Sequence, residues 1–135
     1  MMHFDEEKVV KLIKELSKRI IIVEGLKDEK ALKQLVKTQL IRCNANPNSV
    51  SSKIKGKEVV ILTDFDEEGE NLFKKIKTNL QANKIKVNES LRREFYNIFK
   101  IVKIEELTSL VKRNKQLYDI LVRLELEHFL QRKSL

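Results

Sequence analysis

Two uninterrupted apolar runs, Ile20-Ile21-Ile22-Val23 and Val59-Val60-Ile61-Leu62, constrain this chain more than any other feature of its sequence. A strand that is apolar at every position has both faces covered, the condition of a parallel strand in an α/β sheet rather than of a half-solvated antiparallel one. Both runs end in acids: Glu24-Gly25 after the first, and Asp64-Phe65-Asp66 followed by Gly69 after the second. Apolar residues at helical spacing then follow each, namely Ala31, Leu32, Leu35 and Val36 within residues 28–38, and Leu72, Phe73, Ile76 and Leu80 behind Gly69. The order strand, acid, glycine, helix therefore occurs twice.

An amphipathic helix over residues 5–17 opens the chain, with Val9, Leu12, Ile13 and Leu16 on one face and Asp5, Glu6 and Glu7 in the first turn, where the helix dipole favours anions. Residues 40–43 read as a short strand closing the first strand-helix-strand unit. Residues 44–56, with Pro47, Asn44, Asn46, Asn48 and adjacent serines, read as a loop holding at most one turn of helix. Further on, residues 84–87 are expected as a third main strand, 91–95 as a short helix and 98–102 as a last strand. The leucines from Leu107 to Leu124 predict closing helices. The expected architecture is α/β, with a central, mostly parallel sheet of about four strands flanked by helices.

Composition narrows the function classes. The 135 residues include 28 Lys+Arg against 20 Asp+Glu, a formal charge of +8 that favours a polyanionic partner such as nucleic acid. With 41% hydrophobic residues the chain is too apolar for a disordered polyelectrolyte, and 3 Gly and 1 Pro argue against a loop-rich all-β protein. A single cysteine, Cys43, excludes an intramolecular disulfide framework and any cysteine-rich zinc ribbon. His3 and His128 stand apart without zinc-site spacing. No run approaches the roughly 18 apolar residues of a membrane span, and the acidic start lacks the order of a secretion signal, so a cytoplasmic protein is expected. Neither a P-loop, a dinucleotide fingerprint nor a nucleophile elbow occurs.

In open parallel sheets, ligands bind beyond the carboxyl ends of the strands. If the two apolar strands are neighbours, Glu24, Asp64 and Asp66 converge there. Three such groups in one cleft either raise one another's pKa or hold a hard cation, and magnesium suits sparse carboxylate coordination. Gly25 and Gly69 would permit tight turns and close backbone approach beside them.

These residues resemble a known family. Ile20-Ile21-Ile22-Val23-Glu24-Gly25, together with Asp64-Phe65-Asp66-Glu67-Glu68-Gly69-Glu70, is similar to the two acidic motifs of the Toprim domain shared by topoisomerases and bacterial-type primases. Glu68 and Glu70 also match the longer acidic form found in type IA topoisomerases. The resemblance spans roughly residues 18–103 and is strongest to small, stand-alone, primase-like Toprim proteins of archaea, with a related likeness to the ribonuclease that matures 5S ribosomal RNA. It implies one Rossmann-like Toprim domain over residues 1–135, with an N-terminal helix at 5–17 and a C-terminal helical extension at 104–135. It also implies that Glu24 acts as general acid or base, that Asp64 and Asp66 coordinate Mg2+ or Mn2+, and that Glu68 is an auxiliary ligand.

Residues 74–93 hold Lys74, Lys75, Lys77, Lys84, Lys86, Arg92 and Arg93 against the single acid Glu89. Phosphate contacts are expected from Lys74, Lys75, Lys77, Arg92 and Arg93, with binding that weakens as salt rises. The functional expectation is Mg2+-dependent cleavage or transfer at nucleic-acid phosphodiester bonds in DNA repair, replication or RNA processing. The alternative is a non-catalytic nucleic-acid-binding or adaptor module that works with a protein partner.

Overall fold

A computed structural model describes residues 2–134 apart from 55 and 57. Helix α1 (Glu6–Ser17) is capped by the Asp5 carboxylate, which accepts from the Lys8 N–H. Strand β1 (Ile20–Val23), helix α2 (Leu26–Lys33) and strand β2 (Leu40–Arg42) follow, and then one 3-10 turn at Ser51–Lys53. Strand β3 (Val59–Ile61) and helix α3 (Glu67–Ala82) repeat the strand-helix order. Helices α4 (Glu89–Phe99), α5 (Glu106–Arg113) and α6 (Lys115–Ser134) complete the chain.

The three strands form one parallel sheet in the order β2-β1-β3, with Ile22 opposite Ile41 on one side and Ile61 on the other. The pleat divides the apolar runs between two cores. Ile21, Val23, Val60 and Leu62 pack against α1, α2 and α4 to α6. Ile20, Ile22, Val59 and Ile61 pack against Phe73, Ile76 and Leu80 of α3, joined by Val50 and Ile54 from the long connection. Continuous apolarity was thus the mark of a sheet covered on both sides.

The sheet is narrower than the expected four strands. Residues 84–87 contribute one isolated parallel bridge, between Val59 and Val87, closed by Val59 N–H to the Lys86 carbonyl and Asn88 N–H to the Val59 carbonyl. Pairing stops because the next residue, Asn88, caps α4 by accepting from the Leu91 N–H. Residues 98–102 form no strand, since α4 runs on to Phe99 to bury both Phe95 and Phe99, and Lys100 ends it in a left-handed conformation. Helix α2 stops at Lys33, short of residue 38, while Leu35 and Val36 still reach the core from the following turn. Among the described residues no helix is long and apolar enough to cross a membrane.

A carboxylate pocket at the ends of two parallel strands

Strands β1 and β3 are adjacent and parallel, so Glu24 and Asp64 leave the sheet at the same end. Their fields record the convergence. Burial holds the Glu24 carboxyl above its ordinary range, followed by repulsion from Asp64, Asp28, Asp66 and Glu68. Burial likewise raises Asp64, opposed by the N–H of Ile104 and reinforced by Asp66. The structure therefore brings Glu24, Asp64, Asp66 and Glu68 into one electrostatic neighbourhood.

Asp28 belongs to the same group. Its carboxylate accepts from the Gly25 N–H at 3.2 Å, and burial and Asp64 raise its pKa. It lies in the first turn of α2, closes that turn back onto Gly25, and adds charge beside Glu24. Glu29 turns away to Arg42, at 3.1 Å.

The β3 end is held by a dense set of bonds. Asp66 caps α3, its Oδ1 accepting from the Gly69 N–H at 2.8 Å, and the Thr63 hydroxyl donates to the Gly69 carbonyl at 2.8 Å. Gly69 is required here, because a Cβ would fall on the Asp64 carbonyl oxygen. Asp64 Oδ1 accepts from the Ile104 N–H at 2.8 Å, and the Phe65 N–H donates to the Val102 carbonyl at 2.7 Å. At Gly25, by contrast, a Cβ would meet nothing within 4 Å and the backbone is extended. Close backbone approach is thus found at Gly69, while Gly25 has open space beside it.

Arg92 departs furthest from its expected role. It is 4% exposed and donates to the carbonyls of Ile61, Thr63 and Asp64 at 3.1, 2.8 and 3.1 Å and to the Glu70 carboxylate at 2.7 Å. Phe65 and Phe73 cover its guanidinium, with ring centroids 4.4 and 4.6 Å away. Both terminal nitrogens are spent on the end of β3, the turn after it and Glu70 of α3, so Arg92 has no fork to offer a phosphate. An arginine three residues into a helix beside an equally charged neighbour, Arg93, gave no sequence signal of which one turns inward. Lys77 is paired with Glu89 at 3.0 Å, whereas Lys74, Lys75 and Arg93 are exposed. Cys43, just past β2, is buried in the second core.

The donor set fits a hard divalent cation. Its groups are carboxylate oxygens without an imidazole or thiolate among them, and burial, with repulsion between the acids, raises the pKa of Glu24 and Asp64, while Lys103 draws Asp64 back. Asp64 and Asp66 each spend one oxygen on a backbone N–H. Among the described residues no three His, Cys, Asp or Glu side chains form a ready cage. A groove of about 930 Å³ between α1, α2 and α6 is lined by none of these carboxylates.

Comparison with known proteins agrees with this geometry: the Toprim domain matches residues 19–104, which take in both acidic strand ends and the loop bonded to Asp64. The chain belongs to the Toprim family. Among its relatives is a UPF0292 protein of Thermococcus sibiricus, 39% identical over 103 residues that cover 73% of this chain and 82% of the relative. Another is a UPF0292 protein of Methanocaldococcus jannaschii, 36% identical over 123 residues covering 83% and 94%. A solved structure described as a putative protein from Aquifex aeolicus superposes with a TM-score of 0.63 at 31% identity, over 74% of this chain and 94% of that one. A stand-alone archaeal Toprim type is thus the fitting comparison, and the Toprim domain implies a metal-dependent role connected with nucleic acid.

Proposed function

We propose that this Toprim protein cleaves or transfers nucleic-acid phosphodiester bonds with a divalent cation, Mg2+ or Mn2+, held by Asp64 and Asp66 with Glu68 as an auxiliary ligand. The observation that carries the reading is the convergence of Glu24 with Asp64 and Asp66 from adjacent parallel strands. The chemistry such a cation supplies when bound is neutralisation of charge on a phosphoryl oxygen and activation of an attacking water.

The chain's own residues supply the rest. Arg92 and Gly69 fix the path of the loop, so Asp64 and Asp66 are presented without rearrangement. Glu24, whose carboxyl sits above the ordinary range, takes a proton more readily than an exposed glutamate and can return it to a departing oxygen. Exposed Lys74, Lys75 and Arg93 attract the polyanion, and Lys77 contributes only if it exchanges Glu89 for phosphate.

A panel of single-stranded and duplex DNA and RNA, assayed with Mg2+ and Mn2+, tests the reading. Turnover that requires the ion and falls at least a hundredfold in Glu24→Gln and Asp64→Asn is expected. Turnover unchanged in both variants would refute the site. Binding without turnover under every ion would favour the second reading, a nucleic-acid-binding or adaptor module.

A further inference from the structure

Aromatic residues make up only 6% of the chain, and four of them form a connected group that begins at Phe65, between Asp64 and Asp66. The Phe65 ring stacks on Phe95 with centroids 6.1 Å apart, Phe95 meets Phe99 edge-on at 5.0 Å, and Tyr96 lies 5.1 Å from Phe65. Phe95 and Phe99 are buried, whereas Tyr96 is 37% exposed. Since Phe65 stands between Asp64 and Asp66 in the chain, the exposed ring sits one side chain away from the carboxylate loop.

Cations lie along the same edge. The Lys100 ammonium rests over the Tyr96 ring, 5.6 Å from its centroid. Arg93, one turn earlier on α4, is exposed. Lys103 is exposed next to Ile104, whose N–H holds Asp64. Asn88, just before α4, donates its N–H to the Val59 carbonyl at the start of β3, and Tyr96 near the other end of α4 meets Phe65 beside Asp64, so Arg93, Tyr96, Lys100 and Lys103 succeed one another toward the Asp64 loop.

We propose that Arg93, Tyr96, Lys100 and Lys103 form a landing track for single-stranded nucleic acid, with Tyr96 stacking one base and the cations taking the adjacent phosphates. The proposal rests on the phosphodiester reading of the pocket and names its substrate class. An exposed ring flanked by cations recognises an unstacked base, because the bases of a duplex have no free face, while phosphates alone need no aromatic partner. Lys100 sits at the helix end on a long stem, so it can leave the ring face for a phosphate when a base arrives.

The test measures anisotropy of labelled oligo(dT) and oligo(U) of roughly 12 nucleotides, and of a duplex of equal length, with the full chain in EDTA across a salt series. Single strands are expected to bind more tightly than duplex. Tyr96→Ala should weaken them about tenfold while Tyr96→Phe stays within about twofold. Arg93→Gln and Lys100→Gln should each lower the salt slope by about one. Lys100→Glu, a surface change that leaves the Phe65 packing alone, should weaken single strands at least about fivefold. Duplex preference, or Tyr96→Ala and Lys100→Glu both within twofold of wild type, would overturn the track. Turnover with Mn2+ on the same oligonucleotides separates the two ideas. Turnover whose rate and KM are untouched by Tyr96→Ala refutes the track alone, and Tyr96-dependent binding without turnover supports the track while refuting catalysis.

Discussion

The carboxyl ends of β1 and β3 carry the same ingredients, an acid, a glycine and a helix start, and hold them by opposite means. At β3 the loop is built into the protein: Gly69 lies against the Asp64 backbone, Arg92 collects three carbonyls, and Ile104 and Val102 bond to Asp64 and Phe65. At β1, Gly25 has open space where a side chain would be, and the Asp28 carboxylate is the side-chain acceptor for its N–H. One end presents carboxylates in a set position, and the other brings Glu24 to them with room left beside it. That division matches the proposed roles, fixed ligands on one strand and a proton carrier on its neighbour.

The sharpest way to break the contrast is to give both glycines a methyl group. Gly69→Ala should destabilise by about 3 kcal/mol or more, because backbone, not a flexible side chain, occupies the space. Urea unfolding of the two variants side by side would show it, with Gly25→Ala within about 1 kcal/mol of wild type. Next in size is the adjacent arginine pair. Arg92→Met leaves the carbonyls of Ile61, Thr63 and Asp64 without their donor and should cost about 3 kcal/mol, while Arg93→Met should change stability by about 0.5 kcal/mol or less.

A smaller effect sharpens the electrostatic side. Glu24 and Asp64 have raised pKa values in the folded protein, so it keeps protons there that the unfolded chain has lost. Their contribution to stability therefore falls as pH rises from the ordinary carboxylate values through the raised ones, and stays lost above. In EDTA at pH 7, Glu24→Gln combined with Asp64→Asn should melt roughly 2–4 °C above wild type, and the gain should vanish once acidification protonates both groups. A gain independent of pH would contradict the shared field.

The sequence disclosed the two apolar strands and their acidic ends because continuous β-branched residues have one meaning and acids at strand ends stand out. Element ends were harder to read. The pattern at residues 84–87 fits a strand, yet whether Asn88 extends it or caps a helix depends on α4 docking, a tertiary contact. Residues 98–102 are apolar enough for a strand, yet α4 runs on through Ile98 and Phe99 so that Phe95 and Phe99 are buried together, and Lys100 then ends the helix. The loop's anchor was invisible for a different reason: Arg92 acts through backbone carbonyls, which leave no mark in sequence. Basic clustering alone could not separate it from Arg93.

Calorimetric titration of Mn2+ into the wild-type chain and into Asp66→Asn, which keeps the helix cap, tests the shared pocket most directly. One saturable site in the wild type, lost in the variant, is the predicted result. Equal uptake by both chains, or none by the wild type, would contradict it.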